Sequence, residues 1–163
     1  MNRVFRRGKG TVVPDGTRVY PYLNPLDSTS GLPAGLFGGA SVALGVIRPR
    51  QRSKIQMHPL VTVIFWVVRG RLRIKTKSYV LNLDAEDGAV ARPGTYLQLI
   101  NPSARECRVL YIVTPPYVFL KRRGRIIYDD AVVFGDDWDD LPPRPRPLSE
   151  LRRARKKALA ALR

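Results

Sequence analysis

Residues 61–77 read VTVIFWVVRGRLRIKTK, and this stretch decides the fold class. Its first part is a continuous run of β-branched and aromatic residues, which predicts a strand that is buried on both faces. Arg69 and Gly70 predict a turn. The second part alternates cations with Leu72, Ile74 and Thr76, so a period of two places the cations on one face of a second strand.

Short strand-like runs separated by turn residues continue on both sides of this stretch. They are SVALGVI (41–47), YVLNL (79–83), AVARPGTYLQLIN (89–101), CRVLYIVT (107–114), YVFL (117–120) and IIYDDAVVF (126–134). The alternating Tyr20 and Tyr22 suit one more short strand before them. Many short strands with turns at regular spacing predict an all-β sandwich or barrel. No helix is predicted before residue 147.

The chain divides by composition into four segments. We predict a basic arm at 1–10, a β-barrel at 11–128, an acidic and Pro-rich linker at 129–147 and a basic helix at 148–163. PPRPRP (142–147) is typical of a stiff, extended connection. In the helix, Ser149 is the expected N-cap. The expected apolar stripe consists of Leu148, Leu151, Leu159 and Leu162.

The charge of the chain is strongly positive. It has 163 residues, with 29 Lys and Arg against 13 Asp and Glu, which gives a net charge of +16. The excess is not confined to one tail, and it favours a polyanionic partner such as DNA, RNA, an acidic protein or an anionic membrane. The length suits one domain with tails.

Compartment signals are few. A single cysteine, Cys107, cannot form an internal disulfide, which fits a reducing compartment. The first residues carry no apolar stretch after their cations, so they do not predict a secretory signal. The longest apolar run, residues 61–68, is too short to cross a bilayer, and no membrane association is expected.

Two segments resemble the motifs of the cupin superfamily. They are GVIRPRQRSKIQMHPLVTVIFWVVRG (45–70) and RPGTYLQLIN (92–101), and the resemblance covers roughly residues 40–119. Within that superfamily, FWVVRGRLRI, YLQLIN and RVLYIV resemble most the C-terminal domain of the centromere protein C family. The resemblance implies a cupin-type jelly-roll barrel, to which the composition adds the basic N-terminal arm and the short C-terminal helix. It also implies a dimerisation module without a metal centre.

The resemblance also locates the places of the metal ligands that many cupins have. Gln56 and His58 fall at the first two histidine positions, Thr62 or Val63 at the acidic position and Leu97 at the third histidine position. One histidine and one glutamine do not make a transition-metal site. We therefore expect no metal, no other cofactor and no catalytic residue.

A metal-free acid–base enzyme is the remaining catalytic alternative. It would need a histidine base, an acidic residue to orient it and a tyrosine acid. His58 with Tyr96 or Tyr111 could fill two of these roles, but the pattern places no acidic residue beside them.

Four groups of cations are the candidate polyanion-binding residues. They are the arm Arg3, Arg6, Arg7 and Lys9, the loop Arg48, Arg50, Arg52 and Lys54, the strand face Arg71, Arg73, Lys75 and Lys77, and the KRRGR loop with Lys121, Arg122, Arg123 and Arg125. Next-but-one residues of a strand lie about 6.5–7 Å apart on one face, a spacing that suits successive phosphates. A solvated or aggregation-blocking strand face would carry the same pattern.

The acidic segment 129–140 holds six aspartates around apolar residues. Phe134 and Trp138 could anchor it on a basic partner protein, or on the basic face of this chain or a second subunit. A solvated acidic loop is the third possibility. We favour docking on the basic face of this chain or of a second subunit, because opposite charge and buried aromatic side chains both stabilise the segment there.

These observations give three hypotheses. The first is a non-enzymatic homodimeric scaffold, nuclear and bound to chromatin or DNA, and associated with the kinetochore. The second is a structural RNA- or DNA-binding protein of an organellar ribonucleoprotein or a virion. The third is a cupin enzyme that acts on a small metabolite or sugar nucleotide.

Overall fold

The computed structural model describes residues 9–24, 26, 39–143 and 146–162. The strands are β1 (Thr11–Val12), β2 (Arg18–Leu23), β3 (Ser41–Ile47), β4 (Gln56–Met57), β5 (Thr62–Arg69), β6 (Leu72–Thr76), β7 (Val80–Leu83), β8 (Gly88–Ala91), β9 (Tyr96–Ile100), β10 (Cys107–Thr114), β11 (Phe119–Arg122), β12 (Arg125–Asp129) and β13 (Val132–Val133). The helix α1 covers Leu148–Ala161. The all-β prediction with one C-terminal helix is confirmed.

Two antiparallel sheets enclose the core. The six-stranded sheet has the order β1-β2-β3-β10-β5-β8, and the five-stranded sheet has the order β13-β4-β9-β6-β7. Side chains of both sheets form one buried cluster, and burial stabilises each large apolar member by about 1.5–3 kcal/mol. The cluster includes Ile47, Val63, Phe65, Val67, Leu72, Ile74, Leu97, Leu99 and Val109.

The turn at Gly70 requires glycine for two reasons. Its φ is 87°, in the left-handed region, and a Cβ there would lie 2.8 Å from the carbonyl oxygen of Glu106. The following strand β6 alternates as predicted, with Leu72 and Ile74 buried and Arg71 and Arg73 exposed. Period two thus fixes which face of β6 carries the cations.

The prediction that residues 61–68 are buried on both faces is wrong. Val63, Phe65 and Val67 are buried, whereas Trp66 and Val68 are 45% and 47% exposed. β5 lies between β10 and β8, and within the described residues no second layer covers the outer face of this sheet. A continuous apolar run cannot by itself distinguish an interior strand from one with an apolar outer face.

The structure differs from the predicted linker at 129–147. Asp129 ends β12, and Val132 and Val133 pair with Met57 and Gln56 as β13. The apolar residues between the aspartates therefore complete the edge of the five-stranded sheet. Likewise, the residues predicted as the loop KRRGR mostly form the hairpin β11–β12, in which Arg123 and Gly124 are the turn.

The predicted N-cap of α1 is wrong. Pro147 occupies that position without a side-chain cap, and its carbonyl oxygen accepts hydrogen bonds from the backbone N–H groups of Glu150 and Leu151. Proline suits a helix start because its φ is fixed near the helical value. Leu148 is exposed, so it is not part of the apolar stripe, whereas Leu151 and Ala158 are buried.

Candidate functional site

The structure separates the predicted cations into groups with different surroundings. Arg3, Arg6 and Arg7 of the arm lie outside the described residues, and Lys9 is exposed. The other three groups lie in the part of the chain that the structure describes.

Three of the four cations of the strand face have partners within the chain, whereas Lys77 is exposed just beyond the end of β6. Arg71 forms an ion pair of 2.9 Å with Asp84, and Arg73 donates to the side-chain oxygen of Asn82 across the β6–β7 hairpin. Lys75 lies over the ring of Trp138, with its Nζ 5.1 Å from the ring centroid. Such exposed contacts are weak individually, about 0–1 kcal/mol, but they lower the positive potential that this face presents.

The loop 48–54 is continuous with this strand face. Arg52 bridges to Ile100 of β9, and Ile100 is also the register partner of Arg73. Neighbouring strands are about 4.8 Å apart, so the two cations lie about 10 Å apart on one sheet surface. Arg48, Arg50 and Lys54 are exposed around them.

Residues 134–142, here called the acidic strap, cross the same surface. Phe134 packs on Tyr96 with 5.2 Å between ring centroids, and the Tyr96 hydroxyl donates to the carbonyl oxygen of Pro142. Between these contacts Trp138 covers Lys75. The four aspartates of the strap are exposed: Asp136, Asp137, Asp139 and Asp140. The strap therefore brings negative charge to the basic face of the five-stranded sheet.

Among the described residues, the cations of the hairpin β11–β12 form no ion pair. Lys121, Arg122, Arg123 and Arg125 are all exposed. Arg122 and Arg125 are direct register partners beside the turn, and Arg123 has φ 47°. Like charges directly opposite each other in a hairpin are unfavourable. A left-handed φ at an arginine is uncommon. The hairpin tip therefore holds several positive charges together despite their repulsion and an unfavourable backbone conformation at Arg123.

The structure adds four helix residues that the sequence reasoning did not include. The helix α1 packs on β12, and its buried face contacts Val118 and Leu120. Arg155 turns inward to Asp130, with 3.0 Å between Nε and Oδ1. The opposite face exposes cations spaced i, i+1, i+4 and i+5: Arg152, Arg153, Lys156 and Lys157. This spacing, legible in the sequence, marks one face of a helix.

The barrel holds a cavity of about 450 Å³. Apolar side chains of β2, β3, β5, β10 and β11 form most of its wall, and Lys121 and Leu162 also line it. Asp15, Gln56, His58 and Tyr111 are its main polar residues in the described chain, together with Tyr117 and Asp129. The sequence reasoning missed Asp15, which reaches the cavity from the β1–β2 turn.

Asp15 is buried and bound by donors. Its Oδ1 accepts hydrogen bonds from the backbone N–H and the hydroxyl of Thr17, at 2.9 and 2.8 Å. Its Oδ2 accepts from the Gln56 side-chain amide at 2.9 Å. Burial raises the pKa of Asp15, and these donors offset part of that rise. The carboxylate thus bonds Gln56 rather than orienting His58.

His58 and Tyr111 carry unsatisfied polar atoms. Within the described residues, the Nδ1 of His58 and the hydroxyl of Tyr111 are buried and form no hydrogen bond of ordinary geometry, although Thr17 lies close enough to Tyr111 to affect its pKa. Burial lowers the pKa of His58 to about 4, so its ring is neutral near pH 7. Burial also raises the pKa of the Tyr111 hydroxyl.

The residues present do not fit the metal that many cupins hold. The amide of Gln56 is engaged with Asp15, and Leu97 is fully buried and apolar at the third histidine position. In the described chain, no group of three His, Cys, Asp or Glu side chains is arranged to hold a metal ion. A set with one imidazole lacks the ligands that a tetrahedral or octahedral site requires.

Comparisons with known proteins identify the fold. No model of a known protein family matches the sequence, and no curated protein matches it. KdgF from Halomonas sp. is similar in structure, with a TM-score of 0.53 and 13% identity over 66% of this chain and 87% of that chain. A Cupin 2 conserved barrel domain protein from Salinispora arenicola has a TM-score of 0.52 and 15% identity over 64% and 80% of the two chains.

The cupin domain of Schizosaccharomyces pombe Cnp3 is also similar. It has a TM-score of 0.50 and 7% identity over 60% of each chain. The cupin-like fold that the sequence predicts is therefore confirmed. At these low sequence identities, the three similarities show the fold and specify no function. Within the described residues, no helix is long and apolar enough to span a membrane.

Proposed function

We propose that this chain is a non-catalytic cupin-fold scaffold that forms a homodimer and binds DNA in chromatin through its cations. The observation that carries the proposal is the hairpin β11–β12 packed beside α1, with exposed cations on both elements. The nuclear and kinetochore assignment rests on the resemblance to the centromere protein C family. RNA binding in an organellar ribonucleoprotein or a virion is the alternative.

The hairpin and helix suit a phosphate backbone better than the strand face does. Arg122 and Arg125 repel each other across the hairpin, and an anion between them would relieve that repulsion. Arg152 and Lys156 extend the charge along the adjacent helix. In contrast, Arg71 is paired with Asp84, and the acidic strap crosses the strand face. We therefore rank the hairpin and helix first and the strand face second.

The outer face of the six-stranded sheet is our candidate for the dimer interface. Trp66 and Val90 are exposed on it, and Ile64, Leu110 and Ile112 are their register neighbours. Monomeric proteins seldom expose a contiguous apolar sheet face, so a partner is expected. We infer that the partner is a second copy of this chain, because the rim of this face carries both positive and negative charges.

The rim charges lie at the same end of the face. Arg108 and Glu106 form an ion pair of 2.9 Å, Arg69 is the register partner of Arg108, and Asp87 precedes β8. A two-fold axis places the same patch against itself, so cations of one copy can meet carboxylates of the other. Pairing would also double the number of basic hairpins on one assembly and raise avidity.

A salt series tests the proposed polyanion site. Removal of one phosphate contact should reduce the slope of log K against log salt concentration by about 0.9 for duplex DNA. We expect Arg122→Ser with Arg123→Ser to reduce the slope by about two such steps. The matched control is Arg71→Ser with Arg73→Ser, which removes the same charge from the partnered strand face and should reduce the slope less.

Duplex DNA, structured RNA and nucleosomes are to be compared as partners of the wild type and of both double variants. Preference for DNA or nucleosomes supports the chromatin proposal, and preference for RNA supports the alternative. Equal losses of affinity in the hairpin and strand-face variants would contradict the ranking of the two surfaces. Absence of binding to all three at low salt would overturn the polyanion proposal.

A further inference from the structure

We propose that the tip of the hairpin β11–β12 enters the major groove of duplex DNA, where Ile126 and Ile127 contact the edges of the bases. This mode of binding rests on the polyanion binding proposed above, and it adds a groove, an apolar contact and a reason to prefer duplex DNA over duplex RNA. Three features of the described residues support it: the projecting shape of the hairpin, an exposed apolar pair and the cations around that pair.

The hairpin has an anchored base and an exposed tip. β11 and β12 form a two-stranded sheet of their own, and α1 packs on β12. At the base, Leu120 and Tyr128 are register partners in the apolar cluster that α1 completes, and Asp130 after β12 forms an ion pair of 3.0 Å with Arg155. Residues 121–127, here called the tip, are all exposed. The tip therefore extends into solvent from a base that the helix holds in place.

A β-bulge leaves two isoleucines exposed next to each other in the tip. Ile126 is the register partner of Lys121, and Ile127 is the extra residue where the register shifts. Strict alternation would direct the two side chains to opposite faces, whereas a bulge bends the strand and re-aims a side chain. Ile126 is 46% exposed and Ile127 is 58% exposed. The tip thus offers both apolar side chains to a molecule outside this chain.

Cations surround the apolar pair, and the sequence of the tip contains no acidic residue. Lys121 lies opposite Ile126, Arg125 precedes it, and Arg122 and Arg123 complete the tip. A bare row of phosphates would bind the cations but offers no apolar surface to the isoleucines. A DNA groove offers both, because phosphates flank it and thymine methyl groups lie in the major groove. Charge and apolar surface together therefore favour a groove of DNA over the outside of its backbone.

The dimensions of the hairpin favour the major groove. Neighbouring strands are about 4.8 Å apart, and side chains on both faces widen the hairpin further. The major groove of B-DNA is about 12 Å wide and admits a two-stranded β-ribbon, whereas the minor groove is about 6 Å wide. In duplex RNA the major groove is deep and narrow, so side chains do not read its bases. The shape of the tip therefore suits duplex DNA better than duplex RNA.

An uncharged double substitution separates groove contact from phosphate contact. Ile126→Ser with Ile127→Ser, here called the isoleucine variant, keeps the net charge and every cation of the tip. We expect its Kd for duplex DNA to rise about tenfold or more, with an unchanged slope of log K against log salt concentration. The matched control is Val12→Ser with Val80→Ser, since these valines are 57% and 48% exposed on other strands, and it should change neither quantity. Circular dichroism and thermal unfolding establish that each variant folds.

Replacement of thymine by uracil in an A·T-rich duplex tests the major groove itself. It removes the C5 methyl groups from that groove and leaves the phosphates and the minor groove unchanged. We expect the wild type to lose about fourfold in affinity for each methyl group that it contacts, and the isoleucine variant to lose little. Duplex RNA is the third probe: the wild type should prefer duplex DNA over it, and the isoleucine variant should lose most of that preference.

An affinity for duplex DNA that the isoleucine variant leaves unchanged would overturn insertion in a groove, while the slope loss of Arg122→Ser with Arg123→Ser would still support polyanion binding. Equal wild-type affinity for the thymine and uracil duplexes would overturn the major-groove contact. Inorganic polyphosphate, a polyanion without grooves, should bind the wild type and the isoleucine variant equally, and a loss there as large as on DNA would also overturn the proposal. No binding of duplex DNA at low salt would overturn both groove insertion and the function on which it rests.

Discussion

Burial shifts the pKa values of His58 and Asp129 in opposite senses. The pKa of His58 falls from 6.5 to about 4 through desolvation, which favours the neutral ring. The pKa of Asp129 rises from 3.8 to about 6, again chiefly through desolvation, although the Tyr117 hydroxyl and the backbone N–H of Ala131 donate to its Oδ1. Both side chains therefore bind protons differently in the folded and unfolded chain over the same pH window, roughly pH 4–6.5.

The two shifts have opposite effects on stability. Between about pH 4 and 6.5 the unfolded chain protonates His58 and the folded chain does not, so this residue lowers the free energy of unfolding as the pH falls. Asp129 is protonated earlier in the folded chain, so it contributes stability at low pH that is lost as the pH rises toward 6. Each shift corresponds to about 3 kcal/mol. In the wild type the two contributions largely cancel.

Single substitutions should separate the two opposing dependences of the free energy of unfolding on pH. We expect Asp129→Asn, whose Oδ1 can still accept both hydrogen bonds, to lose stability relative to the wild type when the pH falls from about 7 to 4.5, because the contribution of His58 is then no longer offset by that of Asp129. His58→Leu should lose stability when the pH rises over that range. Urea unfolding at several pH values measures both. The double variant is the control and should remove both slopes, while Asp15 and Asp130 remain in all four chains. Slopes of the same sign in the two single variants would contradict the prediction.

At this scale the sequence predicts single residues unevenly. The spacing of the motif places His58 and Gln56 in the barrel, and the structure puts both in the cavity wall. The motif does not place Asp15 in the cavity wall. Asp15 lies in a turn far away in sequence, where no hydrophobic periodicity indicates which residues point inward. The burial of Asp15 follows from its bond with Gln56, which pairs residues 41 positions apart.

The helix α1 is anchored to the hairpin by one buried ion pair. Asp130 is fully buried and accepts hydrogen bonds from the backbone N–H of Val118 at 2.7 Å and from the Tyr128 hydroxyl at 2.8 Å. Arg155 adds its Nε at 3.0 Å and also donates to the carbonyl oxygen of Pro116. The cationic face of α1 is thus oriented by a contact on its opposite side.

Removal of the cation should release the helix. We expect Arg155→Leu to destabilise the protein by about 3–5 kcal/mol, because the buried Asp130 charge would remain unpaired. Arg152→Leu is the matched control, since it removes the same charge from the exposed face and should change stability by no more than about 0.5 kcal/mol. Urea unfolding gives the difference, and hydrogen exchange should show reduced protection in residues 148–161. Similar destabilisation of both variants would argue against the anchor.

Elements are predicted better than their contacts. The bounds of β3 and β10 agree with the sequence runs 41–47 and 107–114, because alternating or continuous β-branched residues between turn signals specify a strand locally. The docking of α1 and the pairing of β13 depend on tertiary contacts. The strand Val132–Val133 is only two residues long, too short for any period to appear. Its pairing with β4 could not be inferred from the acidic residues around it.

At the scale of the whole molecule, the basic and apolar surfaces lie on different faces. The outer face of the six-stranded sheet is apolar around Trp66, the outer face of the five-stranded sheet carries the acidic strap, and the hairpin and α1 carry exposed cations. Net charge indicates a polyanion but cannot locate it, because charge counts contain no geometry. The fold separates the charged surfaces from the apolar face around Trp66, and this face is the one assigned above to the proposed dimer interface.

The proposed pairing predicts the effect of a single exposed tryptophan. A symmetric interface contains each residue twice, so Trp66→Ser removes two large aromatic contacts from a dimer. Truncation of a central aromatic residue commonly costs about 2 kcal/mol or more, which raises the dissociation constant by about thirtyfold or more. The matched control is Tyr79→Ser, because Tyr79 is 52% exposed and lies in the turn between β6 and β7 of the five-stranded sheet.

Sedimentation equilibrium over a wide concentration range measures both variants against the wild type. We expect a wild-type dimer at micromolar concentration, a monomer for Trp66→Ser and an unchanged dimer for Tyr79→Ser. In a monomer the β11–β12 hairpins of two subunits are no longer held in one assembly. Trp66→Ser should therefore also weaken DNA binding without changing the number of phosphate contacts per chain. A monomeric wild type, or a dimer that Trp66→Ser leaves intact, would remove this face as the site of pairing. A dimer that dissociates equally in both variants would place the interface nearer to Tyr79, on the edge formed by β7.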